Sequence, residues 1–193
     1  AVQKGARIVD TRAPSAFGAA FIPGSVNIGL TPASVNWLGM VLPADSEIII
    51  IADSPARAQE AAYVYRRAGY DRLIGYLGDG ISSWAAQAKA LDHLPQLSPA
   101  SLQHVLKKYS NHIVVDVRSP AEWDSGHIEE ARHIPIGKIF AKDFSLGKDQ
   151  HITVVCASGY RSNIAGSVLK SLGFKHVFSL IGGMTAWKAF AKK

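Results

Sequence analysis

Apolar residues occur along this chain in short uninterrupted runs, and helix-patterned segments separate the runs. Residues 48–51 are all isoleucine, and residues 152–155 form a second β-like run. Strands that are apolar at every position are typical of sheets covered on both sides. Alternation of such strands with helices predicts an α/β fold, with a mostly parallel sheet and helices on both faces.

Two of the helices can be placed from their apolar faces and their end signals. The face of the first comprises Ile164, Ala165, Val168, Leu169 and Leu172. Gly173 follows it and supplies a left-handed cap. Ser98 and Pro99 predict the N-cap and first turn of another helix, whose apolar residues are Leu102, Val105 and Leu106.

The pattern occurs twice, which decides the domain organisation. Residues 6–14 match 113–120, residues 21–28 match 127–134, and residues 47–51 match 152–155. Arg57 precedes a Gly-Tyr pair by the same spacing as Arg161 precedes a Gly-Phe pair. We therefore predict one copy over residues 1–90 and a second over 99–193. Residues 91–98 form the predicted linker, where Pro95 interrupts helical continuity.

Composition excludes several classes of protein. The 193 residues are 48% hydrophobic and 19% charged, an ordinary globular balance. The net charge of +6 is scattered along the chain, with no basic stripe interleaved with aromatics, so we expect no nucleic-acid partner. A mild attraction for small anions is consistent with this charge. No run is long enough to span a bilayer, and no signal sequence opens the chain, so we expect no membrane partner.

The cysteine and histidine content predicts the compartment and the absence of a metal. A single cysteine excludes an intrachain disulfide and fits a reducing, cytoplasmic location. The histidines have no metal-ligand spacing with one another or with the cysteine, so we expect neither a metal nor another cofactor. The chain begins with Ala1 instead of Met, which indicates a processed product or a segment of a longer protein.

Cys156 is that single cysteine, and it stands at the end of the second apolar run. The loop after it contains Ala157, Ser158, Gly159 and Tyr160, followed by Arg161 and Ser162. Backbone N–H groups and the dipole of the following helix favour a thiolate at this position. Arg161 adds a positive charge beside the loop. The arrangement predicts a nucleophile that handles anions, whereas the alternative is a small buried hydrophobic residue.

Several motifs of the second copy resemble those of a rhodanese (sulfurtransferase) domain. They are residues 115–118 (Val-Asp-Val-Arg), 122–123 (Glu-Trp), 126–128 (Gly-His-Ile), the Cys-x-x-Gly-x-Arg-Ser loop at 156–162, and 182–187 (Gly-Gly-Met-x-x-Trp). The first copy is similar to the same domain at residues 10–12, 21–25 and 78–80. The resemblance implies two tandem rhodanese-like domains.

The resemblance also implies a reaction and a set of site residues. Cys156 would take the sulfane sulfur of thiosulfate or of a low-molecular-weight persulfide and pass it to a thiol or to cyanide. Arg161 would assist catalysis, and the loop residues that bind the small anionic donor would be Ala157, Ser158, Gly159, Tyr160 and Ser162. Asp116 and Arg118 would support the loop, or would form a structural ion pair that fixes a strand end.

The first copy departs from the pattern at the nucleophile. Ala52 stands at the cysteine position, Asp53 would repel an anion, and Pro55 removes a backbone donor. We therefore expect the first copy to be inactive. The tandem arrangement resembles two-domain sulfurtransferases, and it also resembles the C-terminal part of proteins that fuse a metallo-β-lactamase-fold persulfide dioxygenase to two rhodanese domains. Residues 36–43 favour the second group, so a fused or separate dioxygenase is a predicted partner.

Two competing functions remain. Cysteine phosphatases and arsenate reductases on a similar scaffold have longer loops that admit a tetrahedral oxyanion, whereas here four residues separate Cys156 from Arg161. The shorter loop favours a sulfur atom. The second competitor is a sulfur carrier or interaction module of a larger persulfide-metabolising protein, which receives sulfur without turnover. Because both functions need Cys156, the sequence separates them poorly.

Overall fold

The apolar runs of the sequence form central strands of two parallel sheets in the computed structural model, which describes residues 2–192. The chain divides between His93 and Leu94, and each part contains one sheet. Within the described residues, the pairings between the named strands are all parallel. The predicted α/β class with parallel sheets is therefore confirmed.

The first unit alternates strands and helices after a short 3-10 turn at Val2–Lys4. Its elements are β1 (Arg7–Asp10), α1 (Pro14–Ala19), β2 (Val26–Asn27), α2 (Ser34–Val41), β3 (Ile48–Ile51), α3 (Pro55–Arg67), β4 (Leu73–Tyr76) and α4 (Gly80–Ala86). The strand order within this described part is β2-β1-β3-β4. The all-isoleucine strand β3 therefore lies between β1 and β4.

The second unit repeats this order and begins with one additional strand and helix. Its elements are β5 (Gln96–Leu97), α5 (Pro99–Lys108), β6 (Ile113–Asp116), α6 (Pro120–Asp124), β7 (Ala131–His133), α7 (Ile136–Ala141), β8 (His151–Val155), α8 (Tyr160–Ser171), β9 (His176–Leu180) and α9 (Gly183–Ala191). The strand order among the described residues is β5-β9-β8-β6-β7.

Helices cover both faces of the second sheet. On one face, Leu102 of α5 and Met184 of α9 pack with Val114, Val155 and Leu180 in one apolar cluster. On the other face α8 packs against β9 and β8. Burial of apolar side chains on both faces is the main stabilising contribution to such a sheet, and it explains why β6 and most of β8 are apolar.

The helix ends follow the expected sequence signals. The Ser98 side chain accepts a hydrogen bond from the Ser101 N–H at 3.1 Å, at the start of α5. Beyond the end of α8, Gly173 adopts a φ of +88°, as a left-handed cap requires. Between residues 2 and 192, no helix combines the length and the apolar character that crossing a membrane requires.

Residues 91–98, the predicted linker, are built into the two units and do not form a free connection. Asp92 exchanges two backbone hydrogen bonds with Phe21 of the first unit, at 2.8 and 2.9 Å. After Pro95, β5 pairs with β9 of the second unit. The boundary therefore falls inside the predicted segment, and the residues on each side of it belong to folded structure.

Candidate functional site

Cys156 lies between the end of β8 and the start of α8. In a parallel sheet, the carboxyl end of a strand faces the N-terminus of the helix that follows, so the thiol lies at the positive end of a 12-residue helix. The residue is 1% exposed. The thiol is therefore buried at a position where helix geometry favours negative charge.

Gly159 determines the shape of the loop around this thiol. Its φ is +99°, in the left-handed region that favours glycine, and it is the N-cap of α8. In this conformation its N–H donates to the Cys156 Sγ at 3.1 Å. The Ser162 Oγ lies 3.5 Å from the same sulfur and 2.9 Å from the Ser179 Oγ. The sulfur thus has an amide donor and a hydroxyl chain beside it.

The first turn of α9 holds the other side of the loop. The Met184 N–H donates to the Cys156 carbonyl at 2.8 Å, and the Thr185 N–H and hydroxyl donate to the Ala157 carbonyl at 3.0 Å. Gly183 allows this approach, because a Cβ at its position would lie 2.3 Å from the Cys156 carbonyl oxygen. The position of Cys156 therefore depends on α9 as well as on α8.

Arg161 binds a carboxylate beside the loop. Its two terminal nitrogens donate to the two oxygens of Glu122 at 2.8 and 2.5 Å. The hydrogen bonds and charge of Glu122 raise the pKa of Arg161, and the negative charge of Cys156 raises it further. In return, Arg161 and Ser119 lower the pKa of Glu122 to about 2. The arginine is thus part of a charge-compensated pair beside the cysteine loop.

Asp116 and Arg118 form a buried ion pair at the carboxyl end of β6. Arg118 donates to both carboxylate oxygens at 2.7–2.9 Å, and its side chain also donates to the Gly126 carbonyl at 3.0 Å. Asp10 and Arg12 repeat these contacts in the first unit, with the Ala20 carbonyl as the additional acceptor. Repetition of the pair in a unit that has no cysteine favours its structural role.

The remaining predicted loop residues lie at the rim of the site. Ala157 and Tyr160 are half-buried and Ser158 is exposed, whereas Gly159 and Ser162 are buried beside the sulfur. The structure therefore brings Cys156, Gly159 and Ser162 together. It places the terminal nitrogens of Arg161 on Glu122.

The sequence assigned no role in the site to four residues that the structure places there: Glu122, Ser179, Gly183 and Thr185. Two of them had a signal, because Ser119-x-x-Glu122 is a capping-box pattern and Gly183 belongs to the repeated Gly…Trp motif. Ser179 and Thr185 had none, since a serine in a strand and a threonine in a helix are common. Their partners become evident only when the chain is folded.

The corresponding loop of the first unit has another conformation. Ala52 is buried at the position of Cys156, and α3 begins at Pro55 with Ser54 as its N-cap. The Ser54 side chain accepts from the Arg57 N–H at 3.3 Å. Pro55, which matches Gly159, has no N–H and cannot adopt a positive φ. The first unit therefore lacks both the nucleophile and the donor that faces it.

Each unit is thus an α/β domain with a loop between a central strand and a helix, and the loop of the second unit carries a buried cysteine. The chain belongs to the Rhodanese-like domain family, whose model matches residues 1–87 and 98–190. This confirms the predicted tandem of rhodanese-like domains. A fused dioxygenase domain stays a prediction.

Several relatives match about half of this chain. The sulfurtransferase of Allochromatium vinosum is 33% identical over 92 residues, 48% of this chain and 86% of that protein. The thiosulfate sulfurtransferase GlpE of Coxiella burnetii is 32% identical over 94 residues, 49% of this chain and 87% of that protein. YrkF of Bacillus subtilis, whose name describes a candidate sulfur carrier, is 30% identical over 94 residues, and the match spans 51% of its length.

Proposed function

We propose that the second unit is a rhodanese-type sulfurtransferase that moves sulfane sulfur through a persulfide on Cys156. The observation that carries the proposal is the Gly159 N–H held 3.1 Å from the sulfur of a buried cysteine at the N-terminus of α8. A backbone donor and a helix dipole at this position stabilise a thiolate and an anion that approaches it. The names of the sulfurtransferase relatives support the same reaction class.

In the first half-reaction the Cys156 thiolate attacks the outer sulfur of thiosulfate or of a low-molecular-weight persulfide. A bond forms between Sγ and that sulfur, the S–S bond of the donor breaks, and its electron pair leaves with sulfite or with the donor thiolate. In the second half-reaction an acceptor thiolate or cyanide attacks the same sulfur, and Sγ leaves as a thiolate. Covalent catalysis of this kind divides one transfer into two easier steps.

The residues around the sulfur support both steps. The Gly159 N–H offsets negative charge on Sγ and on the incoming or outgoing sulfur. The Ser162 hydroxyl, which Ser179 orients, can turn to donate to the thiolate. Because Cys156 is 1% exposed, the reacting atom of a donor has to be a terminal one that can approach the buried sulfur. Thiosulfate and persulfides both have a terminal sulfur.

Intact-protein mass spectrometry tests the covalent step. Wild type incubated with thiosulfate, and separately with glutathione persulfide, is expected to gain one sulfur, about 32 Da, because the activated thiolate keeps it. The Cys156→Ser variant is expected to gain nothing from either donor. A folded, reduced wild-type protein that gains no mass from either donor would contradict the proposal.

A sulfur carrier without turnover is the second candidate, and the name of YrkF favours it. Such a protein would load sulfur on Cys156 but would release it only to a specific partner. Thiocyanate production from thiosulfate and cyanide separates the two functions. Many thiocyanates per protein molecule indicate a sulfurtransferase, whereas at most one per molecule indicates a carrier.

A further inference from the structure

Glu122 and Arg161 form a two-point ion pair at the edge of the loop that holds Cys156. Each terminal nitrogen of the guanidinium donates to one carboxylate oxygen, at 2.8 and 2.5 Å. The side chain of Arg161 is 22% exposed and that of Glu122 is 35% exposed, so both are partly shielded from solvent. Pairs with this fork geometry are among the stronger charge-assisted hydrogen bonds in proteins.

The start of α6 positions the carboxylate before it meets the arginine. Glu122 and Ser119 form a capping box, in which the Ser119 N–H and hydroxyl donate to Glu122 Oε2 at 3.1 and 3.0 Å. These bonds and those from Arg161 lower the pKa of Glu122 to about 2. The carboxylate therefore stays ionised throughout the pH range in which sulfur transfer can be assayed.

The first unit keeps the arginine but not this arrangement. Arg57 pairs with Glu60, three residues further along the same helix, and both side chains are about half exposed. Ala16 and Ala13 stand where the second unit has Glu122 and Ser119. An arginine at this position does not by itself bring a carboxylate to the loop. The ion pair in the second unit is a feature that accompanies the cysteine.

The pair removes net side-chain charge from the neighbourhood of the sulfur. Arg161 lies in the first turn of α8, directly after the loop that holds Cys156, so its positive charge belongs to the surroundings of the sulfur. Glu122 adds a negative charge that offsets this cation. Attraction of an anionic donor then rests mainly on the Gly159 N–H and on the dipole of α8, which are partial charges.

We propose that Glu122 is a positioning residue that sets the charge preference of the site, so that donors whose reacting end carries at most one negative charge are favoured over the thiosulfate dianion. The preferred donor class is therefore a low-molecular-weight persulfide. This inference rests on the proposed sulfurtransferase function. It goes further by assigning donor selection to a residue outside the cysteine loop.

Rates of Cys156 persulfide formation test the proposal. Glu122→Gln keeps a side chain that can complete the capping box but removes the charge. With the positive charge of Arg161 no longer compensated, the ratio of the thiosulfate rate to the glutathione persulfide rate is expected to rise about three- to tenfold. An unchanged or lowered ratio in the folded variant would overturn the proposal.

Two controls show whether Glu122 acts through Arg161. Arg161→Gln leaves the charge of Glu122 uncompensated and is expected to lower the ratio, whereas the double variant with Glu122→Gln, which has neither charge, is expected to return to about the wild-type ratio. Ser119→Ala removes the cap hydroxyl but leaves both charges, so the ratio is expected to stay at the wild-type value. A double variant that keeps the raised ratio of Glu122→Gln would contradict charge compensation between the two side chains.

Wild type alone supplies a further test if the variants fail to fold. A charge-compensated site predicts that thiosulfate loading depends only weakly on salt. A steep fall of the loading rate with added potassium chloride would overturn the inference. Two outcomes separate the role of Glu122 from the proposed sulfurtransferase function. If wild type gains no sulfur from either donor, both proposals are wrong. If wild type loads normally but Glu122→Gln has an unchanged ratio, only the role of Glu122 is wrong.

Discussion

At the residue scale, the two units differ in the conformation of one loop residue, Gly159 in the second unit. Gly159, at +99°, directs its N–H to the sulfur, and the matching residue of the first unit is a proline. Proline has a fixed negative φ and no N–H. Replacement of the cysteine by alanine is thus only one of two losses in the first unit. Both losses affect the same hydrogen bond.

Gly183 gives a prediction at this scale. In Gly183→Ala, the new Cβ would lie 2.3 Å from the Cys156 carbonyl oxygen, and the φ of +54° costs a further ~1–2 kcal/mol in a residue that has a side chain. The loop has to move, so we expect slow or absent sulfur loading together with a lower melting temperature. Mass spectrometry and thermal unfolding measure the two effects.

Gly80→Ala is the matched control in the first unit. Its Cβ would lie 2.9 Å from the Ala52 carbonyl oxygen, and the φ of Gly80 is +59°. Stability is expected to fall, whereas the rate of sulfur loading is expected to stay at the wild-type value. If the two variants impaired loading equally, the effect of Gly183→Ala would reflect general destabilisation.

The sequence could predict those parts of the site whose residues lie close together along the chain. The spacing from Cys156 to Arg161 predicted the nucleophile, the loop and the helix after it. Glu122 lies 39 residues before Arg161, and Ser179 lies 17 residues after Ser162. Contacts over such separations depend on which strands are neighbours. The sequence therefore predicted that Arg161 lies beside the cysteine loop, but it did not predict that Glu122 binds this arginine.

At the element scale, the two units differ by one strand and one helix. In the second unit β5 covers the edge of β9, and α5 supplies Leu102 to the core. Among residues 2–93, β4 occupies the edge of the sheet, with Ile74 and Tyr76 46% and 47% exposed. The first sheet thus has one strand fewer than the second within the described residues. Apolar side chains on an edge strand are a recognised liability for unwanted pairing.

The apolar runs at residues 48–51 and 152–155 predicted the central strands β3 and β8, because these strands are almost entirely apolar. The short strands β2 and β5 were not predicted. Each has two residues, too few to show a period of any kind. β5 also lies within the segment predicted as a linker, because Pro95 indicated a break. That proline instead precedes an edge strand, where its missing N–H is tolerated.

The amino end of the second sheet gives a pH-dependent prediction. His112, just before β6, lies with its Nε2 2.7 Å from the Thr153 hydroxyl, and its ring faces His151 and Phe178. Burial, and next the charge of His151, lower the pKa of His112 to about 4. Since the unfolded value is near 6.5, the unfolded chain binds a proton first as the pH falls. The contribution of His112 to stability is therefore complete above about pH 6.5 and is lost progressively as the pH falls towards 4.

Urea unfolding of wild type and His112→Asn tests this contribution. The variant cannot titrate at this position, so the unfolding free energies of the two proteins are expected to approach or cross between about pH 7 and about pH 4.5. His93→Asn, which replaces a 69% exposed side chain, serves as the control and is expected to follow wild type. A constant difference between wild type and His112→Asn at all pH values would contradict the assignment.

At the scale of the whole molecule, the two units share a framework and differ in their loops. The ion pairs Asp10–Arg12 and Asp116–Arg118 have nearly the same geometry, with closest distances of 2.6 and 2.7 Å. Breaking such a buried pair leaves an uncompensated charge, which typically costs about 3–5 kcal/mol. The fold can therefore depend on these residues in both units, while only the second unit has a loop suited to chemistry.

Because the two units differ in their loops, we predict that a cysteine at position 52 alone does not give the first unit sulfurtransferase activity. Ala52→Cys in a Cys156→Ser background adds a thiol at the matching position, but Pro55 provides no N–H and Asp53 adds a negative charge. We expect no gain of about 32 Da after incubation with thiosulfate, because no loop N–H donates to the thiolate and Asp53 repels the anionic donor. Alkylation of the denatured protein verifies that the added thiol is free. Uptake at the wild-type rate would show that the loop conformation is not needed.

The hydrogen bonds from Met184 and Thr185 to the cysteine loop have a consequence for synthesis. Cys156 leaves the ribosome well before α9, so for a time the nascent chain presents the thiol without the backbone donors that hold its loop. Domains generally fold as units during synthesis, and here the unit is incomplete until its last helix has emerged. A ribosome-bound chain stalled before Gly183 thus has Cys156 without the Met184 and Thr185 donors that hold its loop, and we expect it to take up no sulfur until α9 has emerged.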